Sequence, residues 1–146
     1  MWLSEYDKVT EWLSDNRGRG LFLFGNCGQG KSMLCRYVLP AILLSYCHKV
    51  VSVFDTQQMN AQLDHVLSRH IISLDDIGTE EVINVFGNKR MAFAEIMDAA
   101  EKDGKLLIIS SNLSVKELQE RYGERTLDRI RATTTRILFN GKSFRK

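Results

Sequence analysis

Gly20-Leu21-Phe22-Leu23-Phe24-Gly25-Asn26-Cys27-Gly28-Gln29-Gly30-Lys31-Ser32 is the stretch on which the fold of this chain turns. Four apolar residues in an unbroken run between glycines are the pattern of a short strand buried on both faces, as in a parallel sheet. Residues 25–32 then fit GxxxxGK[ST]. In that pattern glycines let successive backbone N–H groups turn inward on a phosphate, the lysine reaches the β and γ phosphates, and the hydroxyl binds magnesium. Gly25, Gly30, Lys31 and Ser32 fill those positions. Asn26, Cys27, Gly28 and Gln29 complete the loop, and Met33 follows it, so residues 25–33 are the expected ATP-binding segment. Average residue frequencies produce the pattern by chance in roughly half a per cent of chains of this length, and the strand before it lowers that further.

Working outward, residues 31–46 are helix formers interrupted by Pro40, which predicts a kinked or divided helix. On the other side, Trp2, Leu3, Tyr6, Val9, Trp12 and Leu13 recur at helical spacing and predict an amphipathic helix ending near Gly18. Further apolar runs at 50–54, 71–74 and 106–110 read as strands, with a polar helical stretch between the first two. A strong helix is expected over 88–102, ended by Gly104 as a C-cap. Two short helices, 115–122 and 125–131, are separated by Gly123, and 136–139 makes a fifth strand. Strands alternating with helices specify a three-layered α/β domain around a mainly parallel sheet. Residues 1–19 form its N-terminal helix and linker and residues 20–146 its core, all in one domain.

A magnesium-nucleotide site also needs a carboxylate at the end of a neighbouring strand. Asp75, after Ile71-Ile72-Ser73-Leu74, is placed to hold the metal together with Ser32. Asp76 is placed to orient and deprotonate an attacking water; the competing reading of Asp75-Asp76 is a turn signal before Gly78. Glu80 and Glu81 read as exposed loop acids, with a backup base at either as the alternative. Asn112, closing Ser110-Ser111-Asn112, can reach between the γ phosphate and the water, while Ser114 is better placed to cap the helix from Val115. Cys27, near the start of the loop helix, sits where the helix dipole favours a thiolate. A thiol reagent there is expected to block nucleotide binding; the alternative is a small filler residue.

The chain has 146 residues, 44% of them hydrophobic, which suits one self-sufficient core. Three cysteines without CxxC spacing disfavour a disulfide framework and a zinc site, and point to a reducing, cytoplasmic setting. His48, His65 and His70 share no ligand spacing, and no apolar run reaches membrane-spanning length. The formal net charge of +2 is uneven: residues 116–146 hold nine basic and four acidic side chains. That end is either a solvated basic face or one that meets phosphates.

Gly20 to Ser32, Ile72-Ser73-Leu74-Asp75-Asp76-Ile77-Gly78, Ile108-Ile109-Ser110-Ser111-Asn112-Leu113-Ser114, Asp128-Arg129-Ile130-Arg131 and Gly141-Lys142-Ser143-Phe144-Arg145, taken in order, resemble the AAA+ P-loop NTPase core of DnaC-type helicase loaders and the related IstB-type transposition ATPases. The resemblance implies a five-stranded sheet in the order 5-1-4-3-2, with ATP at the C-terminal edge of its strands. It also implies a homo-oligomeric ring or spiral on single-stranded DNA and either a replicative helicase or a transposase as partner. By the same resemblance Arg129 would be an arginine finger presented to a neighbouring subunit's ATP, with Arg125 and Arg131 as competing candidates. Arg145 would be a second arginine sensor. Loaders of that family carry an additional helicase-gripping domain; here a single helix is expected ahead of the core, with no separate helicase-binding domain or C-terminal lid.

Overall fold

A computed structural model of the chain describes residues 4–25, 28–79, 83–85 and 88–139. The described elements run α1 (Ser4–Ser14), β1 (Gly20–Phe24), α2 (Gly28–Met33), a π-helical turn (Leu34–Val38), α3 (Leu39–Cys47), β2 (Ser52–Phe54), α4 (Thr56–Ala61), α5 (Leu63–Leu67) and β3 (Ile71–Ile77). There follow β4 (Ile83–Val85), β5 (Asn88–Arg90), α6 (Ala92–Asp103), β6 (Leu106–Ser111), α7 (Val115–Tyr122), α8 (Glu124–Thr133) and β7 (Thr134–Leu138).

Five strands form one sheet in the order β2-β3-β6-β1-β7, and every neighbouring pair is parallel. Numbered consecutively along the chain, those five strands give 5-1-4-3-2, the order that the resemblance implied. Parallel neighbours need crossover connections, so helices must cover both faces of the sheet. Alternation along β1 divides them. Leu21 and Leu23 pack with Val9, Trp12, Leu34, Leu39 and Leu43 from α1 and the α2–α3 run. Phe22 faces the opposite core with Phe54, Met59, Phe93, Ile96, Leu118, Leu127 and Ile130, drawn largely from α4 to α8. Because the strands run the same way, Phe24, Ile77, Ser111 and Leu138 all finish at one edge, and Gly25 follows β1 there.

Three sequence expectations change. The helix expected over 88–102 begins only at Ala92, because Asn88–Arg90 pairs antiparallel with Ile83–Val85 in a separate two-stranded ribbon. The break ascribed to Pro40 is a π-helical turn just ahead of it: Pro40 cannot donate to the Arg36 carbonyl and its ring crowds that group. The winding widens over Leu34–Val38, and the Leu39 N–H reaches back to the Leu34 carbonyl. The last strand starts at Thr134, two residues before the expected position. The expected caps are present: Gly104 ends α6 in the left-handed region, and Ser114 opens α7 in a capping box with Glu117.

Candidate functional site

At the C-terminal edge of the sheet lies a cleft of about 450 Å³, lined by Lys31, Ser32, Met33, Tyr37, Asp76, Ser110, Ser111 and Asn112. The helical run from Gly28 to Cys47 begins there, so Lys31 and Ser32 come from its first turns, while the acids and Asn112 come from the ends of β3 and β6. Gly25 has φ 118°, a conformation that side-chain-bearing residues avoid. A Cβ there would also meet the carbonyl of Phe139, whose own N–H donates to the Phe24 carbonyl at 2.7 Å. Glycine is thus required at the exit from β1 both by backbone conformation and by the close passage of the chain after β7.

Lys31 is 1% exposed and Asp75 8%. Asp75 Oδ1 accepts hydrogen bonds from Ser32 Oγ at 3.0 Å and from Ser110 Oγ at 2.6 Å, and Oδ2 faces Arg36 Nη1 at 3.4 Å. Ser110 also accepts from the Asp76 N–H at 2.8 Å, so one hydroxyl ties the two successive acids to β6. Asp76 itself has φ 63°, in the left-handed region that aspartate tolerates better than most residues, and the register of β3 against β6 shifts between Leu74 and Ile77. That irregularity lets successive acids, which would point to opposite faces in a regular strand, both serve the edge. Asn112 Nδ2 donates to Asp76 Oδ1 at 3.3 Å.

The donor set suits magnesium held chiefly by nucleotide phosphates: a hydroxyl and a carboxylate at 3.0 Å, both oxygen ligands. Among the described residues no group of three or more His, Cys, Asp or Glu could hold a metal by itself. Burial weighs against the charge of Arg36, but its hydrogen bonds to Tyr37 and Asp75 and the Asp75 charge prevail, raising its pKa. Directly beneath, Cys35 bonds Ser73 Oγ at 2.9 Å, and burial pushes its thiol up from 9.0 to about 12, so it stays protonated.

The structure therefore brings together Lys31, Ser32, Met33, Asp75, Asp76 and Asn112, with Gly30 next to Lys31 in α2 and Gly25 at the exit from β1, lining the neighbouring hollow. Gly28 and Gln29 lie in the first turn of α2. Asn26, Cys27, Glu80, Glu81 and Arg145 lie outside the described residues. Arg129 is not in the cleft. It sits on α8, where Nη2 meets Asp98 at 2.9 Å and Nε meets Glu101 at 3.1 Å, both on α6. Arg131 pairs with Asp128 at 3.3 Å, and Arg125 is exposed. A second hollow of about 440 Å³, between Phe24, Gly25, Ser114, Glu117, Leu138 and Phe139, shares Asn112 with the first. Sequence reasoning passed over Ser110 and Arg36. The sole signal for Arg36 is its place four residues after Ser32, on the same helical face.

No family model matches the chain, and no curated protein matches it. Solved structures do. The DnaC helicase loader superposes with a TM-score of 0.72 at 22% identity, over 91% of this chain and 86% of that one. DnaI gives 0.65 at 21% identity, over 94% and 84%. The replication initiator DnaA bound to AMPPCP and single-stranded DNA gives 0.62 at 17% identity, over 92% of this chain and 46% of that one. With the strand order and the placement of the phosphate loop, these likenesses give the chain the AAA+ P-loop fold of the DnaC and DnaA cores.

Proposed function

We propose that this chain is a magnesium-dependent ATPase of DNA replication, a helicase loader of the DnaC kind that assembles on single-stranded DNA. One observation carries the reading: Ser32 and the buried Lys31 line one cleft at the sheet edge with Asp76, and the Ser32 hydroxyl donates to the buried strand-end carboxylate of Asp75. Lys31 supplies an ammonium to the β and γ phosphates, and the loop amides of residues 25–30 surround them. Ser32 and Asp75 would hold magnesium, which when bound neutralises charge building on the phosphates. Asp76 accepts the proton of the attacking water, Asn112 steadies that water and the γ phosphate, and Ser110 keeps both acids in register. The fold likeness to a DnaA core solved with AMPPCP and single-stranded DNA supports both ligands.

In this reading Arg129 leaves its acids on α6 to reach the ATP of the next copy, where a guanidinium offsets charge on the γ phosphate. Arg145 contacts the nucleotide of its own subunit. Residues 1–146 act as one ATPase domain, with residues 1–19 leading into the core. Among the described residues no helix is long and apolar enough to cross a membrane.

Hydrolysis measured with and without single-stranded DNA tests the proposal, together with capture of a replicative helicase or a transposase by the purified chain. Stimulation by the strand and retention of the helicase are expected. Retention of the transposase instead would favour the IstB-like role, and hydrolysis indifferent to DNA would contradict both. In a mixture of Lys31→Ala and Arg129→Ala subunits, activity above that of either variant alone is expected if the site is shared.

A further inference from the structure

Asp75 uses its two oxygens differently. Oδ1 is engaged by the hydroxyls of Ser32 and Ser110, whereas Oδ2 has a cation beside it, Arg36 Nη1 at 3.4 Å. Arg36 stands four residues beyond Ser32, in the π-helical turn that precedes Pro40. A phosphate loop does not itself require a positive charge there. The carboxylate side chain is 10% exposed and the guanidinium 34%, so the pair lies where attraction is less screened than at an open surface, yet the arginine has water within reach.

A divalent ion held by Ser32 and Asp75 would draw on the same carboxylate that now balances Arg36. Two cations close to one carboxylate repel each other, and the coupling is reciprocal: whatever favours one contact with Asp75 weakens the other. Without metal, the guanidinium offsets a buried negative charge that would otherwise face the incoming triphosphate across the cleft.

We propose that Arg36 is a positioning residue that stands in for the metal on Asp75, holding the carboxylate in place before magnesium arrives and raising the magnesium concentration needed to load nucleotide. The proposal rests on the ATP reading above. It predicts two effects of opposite sign on removing the charge: weaker nucleotide binding without magnesium, and a lower magnesium requirement.

The experiment is titration of the purified chain with a fluorescent, non-hydrolysable ATP analogue, in EDTA and across a magnesium series, for the unaltered protein, Arg36→Gln, Arg36→Lys and the exposed control Arg17→Gln. Arg36→Gln is expected to lower the half-saturating magnesium concentration about two- to fivefold and to weaken binding in EDTA by a similar factor. Arg36→Lys should lie close to the unaltered protein, because the charge is kept, and Arg17→Gln should coincide with it. Ligand-free thermal unfolding checks that each variant is folded. Should Arg36→Gln misfold, Arg36→Lys and an Arg36→Met variant carry the same comparison. If Arg36→Gln binds more weakly at every magnesium concentration with an unchanged midpoint, Arg36 merely supports the helix and the proposal is overturned. If the unaltered protein fails to bind the analogue even at saturating magnesium, the ATP reading falls, and this proposal with it.

Discussion

The cleft at the sheet edge and the α6–α8 face both display charged side chains in contact, but they hold them in different ways. In the cleft, Asp75 is buried and fixed by two hydroxyls at 3.0 and 2.6 Å, and one of those hydroxyls also accepts the next residue's N–H. On α8, Arg129 is held by Asp98 and Glu101, whose side chains are 59% and 48% exposed. A buried, mutually bonded arrangement is formed before any ligand arrives, because an unpaired buried hydroxyl or carboxylate is expensive. Water reaches both acids and screens the pairs from that side, although the Arg129 side chain itself is 16% exposed. The carboxylate at the cleft is thus buried among its partners, whereas the acids that hold Arg129 stand in water.

The largest effect is expected at the rigid end. Gly25→Ala combines a positive φ with a Cβ set against the Phe139 carbonyl, and should destabilise the fold by about 2–4 kcal/mol in urea unfolding. A loss below about half a kcal/mol would mean that this exit from β1 is not rigid at all. Next, Asp75→Ala strands the Ser110 hydroxyl and should cost about 1–3 kcal/mol. Asp98→Asn and Glu101→Gln should each cost under about 1 kcal/mol by the same measurement. If the α6 variants proved as damaging as Asp75→Ala, the contrast between the two regions would collapse.

The smallest effect sharpens the rigid side. Cys35 should resist a thiol reagent near pH 8 in the native protein while the exposed Cys47 reacts, as mass spectrometry of the labelled chain would show. The sign of the pH dependence follows from the neutral thiol being favoured by burial. Its contribution to stability is full below about pH 9 and is lost as pH rises towards about 12. Rapid native labelling of Cys35 would show that the packing beneath the phosphate loop opens readily.

Much of the fold was legible because its signals are local. The run Gly20–Phe24 and the helix Val115–Tyr122 have the bounds their glycines and caps suggest, and Asp75 is marked by the apolar strand ahead of it. The β4–β5 ribbon was not, because each strand is three residues long and the helical pattern of Met91, Phe93 and Ile96 does not show where it should start. Ser110 and Arg36 were missed for a different reason. Their roles are contacts with residues 35 and 39 positions away, and no periodicity carries such pairing. The same holds for Arg129: the resemblance suggested a finger, but the packing of α8 on α6 reveals the two acids that hold it.

We expect Lys31, Ser32 and Asp75 to act as a preassembled triphosphate and metal site. The decisive measurement is calorimetric titration of ATP into the folded chain, with magnesium and with EDTA, with Lys31→Ala run alongside. Tight, magnesium-strengthened binding is expected, falling by about a hundredfold in Lys31→Ala. No heat of binding from folded protein, or equal affinity in the variant, would contradict it.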